Sequence, residues 1–253
     1  MGSRKILGLA LICALALCGL AASGASAKGT TAFTCSASGG EKDFSDAHCD
    51  NSVGAGKGSF GHASIAAGST KEMTLSNEKT ASETTGAEPS HLIGKIAGIT
   101  VEVVCSTVTG SGTVKNEEVE GTMQATGKVT MEHSKCAVTT PTSCATEEPI
   151  IYKGHYKTYQ NEIEMGLEFL PEFANEFGTF VLKNNGAKSC PINGKYKIEG
   201  SFEGTPHGES AGKGATLVFT KEMGKLTWAG QEYTLTGAIT MRIKGGDPIV
   251  FTT

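Results

Sequence analysis

The chain has 253 residues with 22 basic and 26 acidic side chains, a formal net charge of −4, and only one Trp and five Tyr. Residues 1–27 carry Arg4 and Lys5 and no acid, so the remainder holds 20 basic against 26 acidic residues, a net charge of −6. That balance gives no electrostatic footprint for nucleic acid, which needs clustered Lys and Arg against phosphate.

The first segment reads as a signal peptide. Arg4 and Lys5 form a positive start, ILGLALICALALCGLA forms an apolar core, and Ala25-Ser26-Ala27 supplies a small-residue cleavage pattern. A spanning helix wants roughly 20 apolar residues, and Ser23, Gly24 and Ser26 interrupt this run early. Cys18 follows Leu15-Ala16-Leu17, where a lipoprotein signal would want a small residue in place of Leu17. The expectation is a secreted, extracellular protein with cleavage near Ala27 and a mature region over 28–253, without a membrane span. Its length suits one large all-β domain or two packed β subdomains.

Two of the eight cysteines, Cys13 and Cys18, leave with the leader. The other six are Cys35, Cys49, Cys105, Cys136, Cys144 and Cys190. An even set in an exported chain points to disulfides, although six cysteines allow 15 connectivities. Pairing neighbours first predicts Cys35 with Cys49 and Cys136 with Cys144, which leaves Cys105 with Cys190. Zinc would need close C-x₂₋₄-C pairs with matching partners, and these six cysteines include none.

The stretch DFSDAHCDNSVGAGKGSFGH, residues 43–62, gathers Asp46, His48, Asp50 and His62 around Cys49. These four residues are the candidates for a hydrolase site or a calcium site, since oxygen ligands suit calcium. Their spacing matches no known loop, and no catalytic, cofactor or metal role is assigned to any residue. GKGSFG, residues 56–61, has the form G-x-G-x-x-G but precedes SFGHASIA, which reads as a strand; a dinucleotide fingerprint opens a helix. Ser76-Asn77-Glu78-Lys79 fits S-x-x-K without the companion motifs of penicillin-recognising enzymes.

From here the pattern is strands and turns, with apolar and polar residues alternating at period two. NEKTASETTGAEPS (77–90) is polar enough for a surface loop. ITVEVVC (99–105) is a strand with Cys105 in phase with Ile99, Val101 and Val103, hence inward. EVEGTMQATGKVTME (118–132) reads as another strand. IIYKGHYKTYQNEIEMGLEF (150–169) reads as a hairpin turning at Gln160-Asn161, with Tyr156 opposite Met165, Tyr152 opposite Phe169, Lys157 opposite Glu164 and Lys153 opposite Glu168. His155 falls on its wet face. KYKIEGSFE (195–203) and GAITMRIK (237–244) are further strands, GTPHGESAGKG (204–214) is a long loop, and LTWAGQEYTL (226–235) is a hairpin turning at Gly230-Gln231.

The fold class expected is all-β, an antiparallel β-sandwich or barrel-like body stabilised by disulfides. TTAFTC, DFSDAHCD, GKGSFGH and IAGITVEVVC, in that order, resemble a set of exported, uncharacterised proteins of actinobacteria. That resemblance implies secretion and a shared all-β body, and implies no activity, ligand or catalytic residue. No cofactor is expected. The function favoured is a noncatalytic binding or structural scaffold, with a cell-envelope or polysaccharide partner as one version of it. The alternative is a secreted hydrolase or calcium-binding surface protein using Asp46, His48, Asp50 and His62.

Overall fold

The computed structural model describes residues 30–46, 49, 51–77, 88–160, 165–207, 215–220, 225–245, 247 and 249–252. Its architecture is all-β: sixteen strands in two antiparallel sheets among the described residues, one of three strands and one of thirteen. The signal peptide expected over residues 1–27 lies outside the described residues.

The longest elements are β5 (Ile99–Val119) and β6 (Thr122–Thr140), which pair antiparallel along nearly their whole length. The turn between them is Glu120-Gly121, both at positive φ (52° and 80°), which is the two-residue geometry whose twist matches the flanking strands. The single strand expected over 118–132 is therefore two strands. Polar flanks on both sides hid the turn, because Thr and Gln continue the alternation across it.

Strand β15 (Gln231–Ile243) closes the large sheet on itself. Its second half pairs with β13 (Ala215–Phe219) through 237–241 and with β3 (Lys71–Ser76) through 240–243. The order β15-β13-β12-β9-β8-β6-β5-β3 then returns to its start, so eight antiparallel strands form a closed barrel. The members not yet placed are β8 (Ile150–Gln160), β9 (Met165–Pro171) and β12 (Phe202–His207). Closure leaves these strands no free edge.

The first half of β15 belongs to a second layer. It pairs with β4 (Ser90–Ile96) on one side and β14 (Leu226–Trp228) on the other. From β14 the sheet continues through β11 (Gly194–Glu199) and β10 (Glu176–Asn184) to β7 (Cys144–Thr146). Strand β10 comes back alongside β8, where a side chain at Gly178 would meet the Ile151 carbonyl at 2.3 Å. One continuous core runs through both layers. Phe169, Phe202 and Phe219 cluster with Tyr156 on the barrel side; Trp228 stacks on Tyr233 at 4.2 Å and packs on Phe180 in the second layer.

Both predicted hairpins form with their faces as expected and their registers shifted by an even number. Strands β8 and β9 pair Gln160 with Met165, Lys157 with Glu168 and Tyr156 with Phe169, so four residues separate the strands instead of two. Glu164 lies outside the described residues; Lys157 takes Glu168 as its partner, at 3.1 Å. Strands β14 and β15 pair Trp228 with Gln231 and Leu226 with Tyr233, turning at Ala229-Gly230 with both φ positive. Alternation fixes which face is buried, and any even slip preserves it. The turn sets the register, and each turn differs from the one expected.

Other corrections are local. The strand over 195–203 breaks at Gly200-Ser201 into β11 and β12, since Gly200 takes φ +105° with the Lys225 carbonyl against it. The first four residues of the loop expected over 204–214 are strand instead, because β12 runs to His207; residues 208–214 lie outside the described residues. Likewise Ser90 opens β4 instead of closing a loop, and 78–87 are not described.

Three disulfides form: Cys35–Cys49, Cys105–Cys136 and Cys144–Cys190. The first pairing is the one expected and the other two are not. Cys105 is buried as predicted, but its partner is the residue directly across the β5–β6 ladder. Nearness in sequence fails for Cys136 and Cys144 because the chain leaves β6 between them, and Cys144 then lies beside β10, near Cys190.

The small sheet, β16-β1-β2, is fastened to the barrel end nearest the β5–β6 turn. It consists of β1 (Thr31–Ser36), β2 (Gly61–Ser64) and β16 (Val250–Thr252). Buried Asn116 of β5 holds it: its Oδ1 accepts the Ala32 N–H at 2.8 Å, and its Nδ2 donates to the Ala32 and Ile65 carbonyls at 2.9 and 2.8 Å. Thr30 adds a backbone bond to the Met123 carbonyl. An amide is suited to this role because it both donates and accepts, answering the exposed backbone of two strands at once.

Candidate functional site

The acidic, histidine-bearing stretch forms a small knot on this sheet. Cys49 takes φ 55° and bonds Cys35, which pairs with His62 across the β1–β2 ladder. The knot has its own core of Cys35, Cys49 and Phe44, with Phe60 beside it. Its polar groups support the loop. The Asp46 carboxylate accepts the Asn51 N–H at 2.8 Å, and that of Asp43 accepts the Gly56 N–H at 3.0 Å.

In GKGSFG, Gly56 takes φ +69°, and Gly58 and Gly61 let backbone lie against backbone. A Cβ at Gly58 would lie 2.2 Å from the Phe44 carbonyl oxygen, and one at Gly61 would lie 2.1 Å from that of Glu41. Substitution at either position would force the loop apart. This accounts for the motif without a phosphate.

His62 packs its ring on Phe44 with centroids 5.1 Å apart. Burial lowers its pKa, opposed by the nearby charge of Asp43, so the neutral ring is favoured. Its Nε2 is buried without a hydrogen-bond partner. Of the four candidate residues, the structure therefore places Asp46 in the turn tied by the disulfide and His62 on β2 opposite Cys35; His48 and Asp50 lie outside the described residues. Among the described residues no group of three or more His, Cys, Asp or Glu side chains converges as a metal site would.

The barrel wall offers open clefts. One of about 380 Å³ crosses β5, β6 and β8 and is lined by Lys115, Lys128, His155 and Lys157 around Gly127. Each lysine already holds a carboxylate: Lys115 with Glu117 at 2.5 Å, Lys128 with Glu172 at 3.0 Å, and Lys157 with Glu168 at 3.1 Å. Glu117 also accepts the Thr126 hydroxyl, and these bonds keep its pKa below the usual carboxylate range. The face is thus an alternating ion-pair surface without strong excess charge. A second cleft of about 440 Å³ lies where β10 passes β8, lined by Glu147, Pro149, Ile151, Lys153, Thr179 and Lys195 among others.

One polar cluster is wholly enclosed and belongs to no sequence motif. His133 of β6 is 2 % exposed, with Nδ1 at 2.8 Å from the Ser90 hydroxyl. Its ring lies 4.9 Å from that of Tyr152, whose hydroxyl bonds the Tyr233 hydroxyl at 3.1 Å. The signal was available: His133 is in phase with Val129 and Met131, both buried, so alternation alone puts it inside. Burial lowers the His133 pKa to about 4 and raises those of both tyrosines. All three are neutral at physiological pH.

No protein-family model, curated protein or solved structure matches this chain.

Proposed function

We propose that this is an extracellular, noncatalytic binding or structural protein: a disulfide-tied β scaffold whose outer wall and loops meet a partner in the cell envelope or a polysaccharide. The observation that carries the reading is the disulfide set. Three intramolecular crosslinks tie the knot, the β5–β6 hairpin and the β7–β10 edge, and such crosslinks persist in oxidising compartments. The leader-like residues 1–27 agree with export. Two of the described histidines stand in packing roles, His62 against Phe44 and His133 against Ser90 and Tyr152, which supports the scaffold reading.

Expression of the full chain in a secreting host tests both halves. The expected product is found outside the cell, begins near Lys28, carries no free thiol and is retained by an envelope polysaccharide fraction. Retention inside the cell with reduced cysteines would overturn the extracellular assignment. Turnover of an ester, peptide or glycoside substrate that His62→Gln abolishes would overturn the noncatalytic one.

A further inference from the structure

The enclosed His133 lies where two strands are fastened. Its ladder partners are Val108 on β5 and Ile150 on β8. Val108 in turn exchanges hydrogen bonds with Asn77 at the end of β3: its N–H donates to the Asn77 Oδ1 at 2.8 Å and its carbonyl accepts the Asn77 N–H at 3.0 Å. The Asn77 Nδ2 donates to the Glu88 and Ser106 carbonyls at 3.3 and 3.1 Å. Ser90, the first residue of β4, is bonded to His133. Strand β4 is laddered to β5 from Ser90 (opposite Cys105) to Ile96 (opposite Ile99) and to β15 from His91 to Gly94, and at its leading end the His133 imidazole adds a side-chain bond to β6.

That imidazole has one partner for two nitrogens. Nε2 is buried and unpartnered. The neutral ring tolerates this, since one unprotonated nitrogen can go without a donor at modest cost. The imidazolium cannot, because both nitrogens must then donate and the charge sits in an apolar shell. Among the described residues no acid is placed to compensate. From β4 the ring meets the Ser90 hydroxyl, from β5 Val108, and from β8 Ile150 and Tyr152, whose phenol is taken by Tyr233 of β15. The neighbouring acids act elsewhere: Glu132 is exposed, Glu102 contacts His91 and Thr139, and Glu148 accepts the Lys135 and Cys136 N–H groups. Desolvation is the sole cause of the shift at His133.

We propose that the Ser90–His133 pair is an acid-sensitive fastening of β4: beside the ladders to β5 and β15, the neutral imidazole pins the leading end of that strand to β6, and protonation of the ring removes that pin and loosens the end. The sign follows from linkage. A histidine whose folded pKa lies below its unfolded value near 6.5 leaves the folded state fully stable above that value, and stability drains away as pH falls from there toward about 4. The chain would be firm at neutral pH and would loosen at β4 in an acidified setting.

The test compares the wild-type mature protein with the double variant Ser90→Ala/His133→Phe, in which both partners become apolar together. Denaturant unfolding at pH 7 and pH 5 should show the wild-type folding constant falling about twentyfold more than that of the variant, the difference a shift from 6.5 to 4 produces. Parallel losses in the two proteins would overturn the proposal. Two measurements on the wild type alone hold if the variant does not fold. Hydrogen-exchange protection, corrected for intrinsic rates, should fall at least tenfold more across residues 91–95 than across 166–169 on acidification. The His133 ring resonance should titrate below pH 5. Uniform loss of protection, or titration near 6.5, would overturn it.

Discussion

The barrel and the disulfide knot are both built of antiparallel strands, yet they are held by different physics. The barrel buries large side chains from many strands, among them Trp228, Tyr152, Tyr156 and Phe169, in one continuous core. The knot buries Cys35, Cys49 and Phe44, too little apolar surface to offset the ordering of roughly thirty residues. The crosslink and the glycine contacts replace a core there. Stability is therefore a property of the whole in the barrel and a local matter in the knot.

The largest break of this contrast should come from the core. Trp228→Ala removes a fully buried ring stacked on Tyr233 and packed on Phe180, and should cost roughly 3–5 kcal/mol in equilibrium unfolding. A cost below 1 kcal/mol would mean that the second layer is not part of one cooperative core.

Asn116→Ala tests the joint between the two regions. It strands the backbone groups of Ala32 and Ile65, and should cost roughly 2–4 kcal/mol with loss of amide protection in β1 before the barrel. Equal loss of protection everywhere would show that the small sheet and barrel unfold together.

Removing the knot crosslink with Cys35→Ala/Cys49→Ala should abolish protection across residues 43–61. It should shift global unfolding by less than about 1 kcal/mol, because the chain-entropy gain of a short loop acts only on the segment that it closes. A drop of several kcal/mol would place the knot within the cooperative unit.

The smallest effect belongs to the wall. Lys157→Ala removes the 3.1 Å pair with Glu168, both partly exposed, and should change stability by less than about 1 kcal/mol, vanishing in high salt.

The fold class was legible in the sequence because burial of strands leaves a period-two trace. Leu167 and Phe169 in β9, Cys105 in β5 and Tyr152 and Tyr156 in β8 all lie on the face that alternation assigns them. The same trace carried His133 inward, although no motif marked it. The candidate stretch 43–62 was legible as a disulfide loop through Cys35 and Cys49, since a short separation keeps two thiols near one another.

What alternation leaves open is everything that an even shift preserves. The registers of the β8–β9 and β14–β15 hairpins, and the split of 118–132 at Glu120-Gly121, depend on turn geometry and not on hydrophobic pattern. The pairings Cys105–Cys136 and Cys144–Cys190 depend on which strands become neighbours. So does barrel closure, which needs β15 to hold β13 and β3 at once. Which side chains face inward follows from the order of residues alone, because transfer from water acts on each side chain separately. Which of them meet depends on how the strands come together. Ser90, His133, Tyr152 and Tyr233 come from four strands far apart in the chain, and their contact exists only once all four strands are in register.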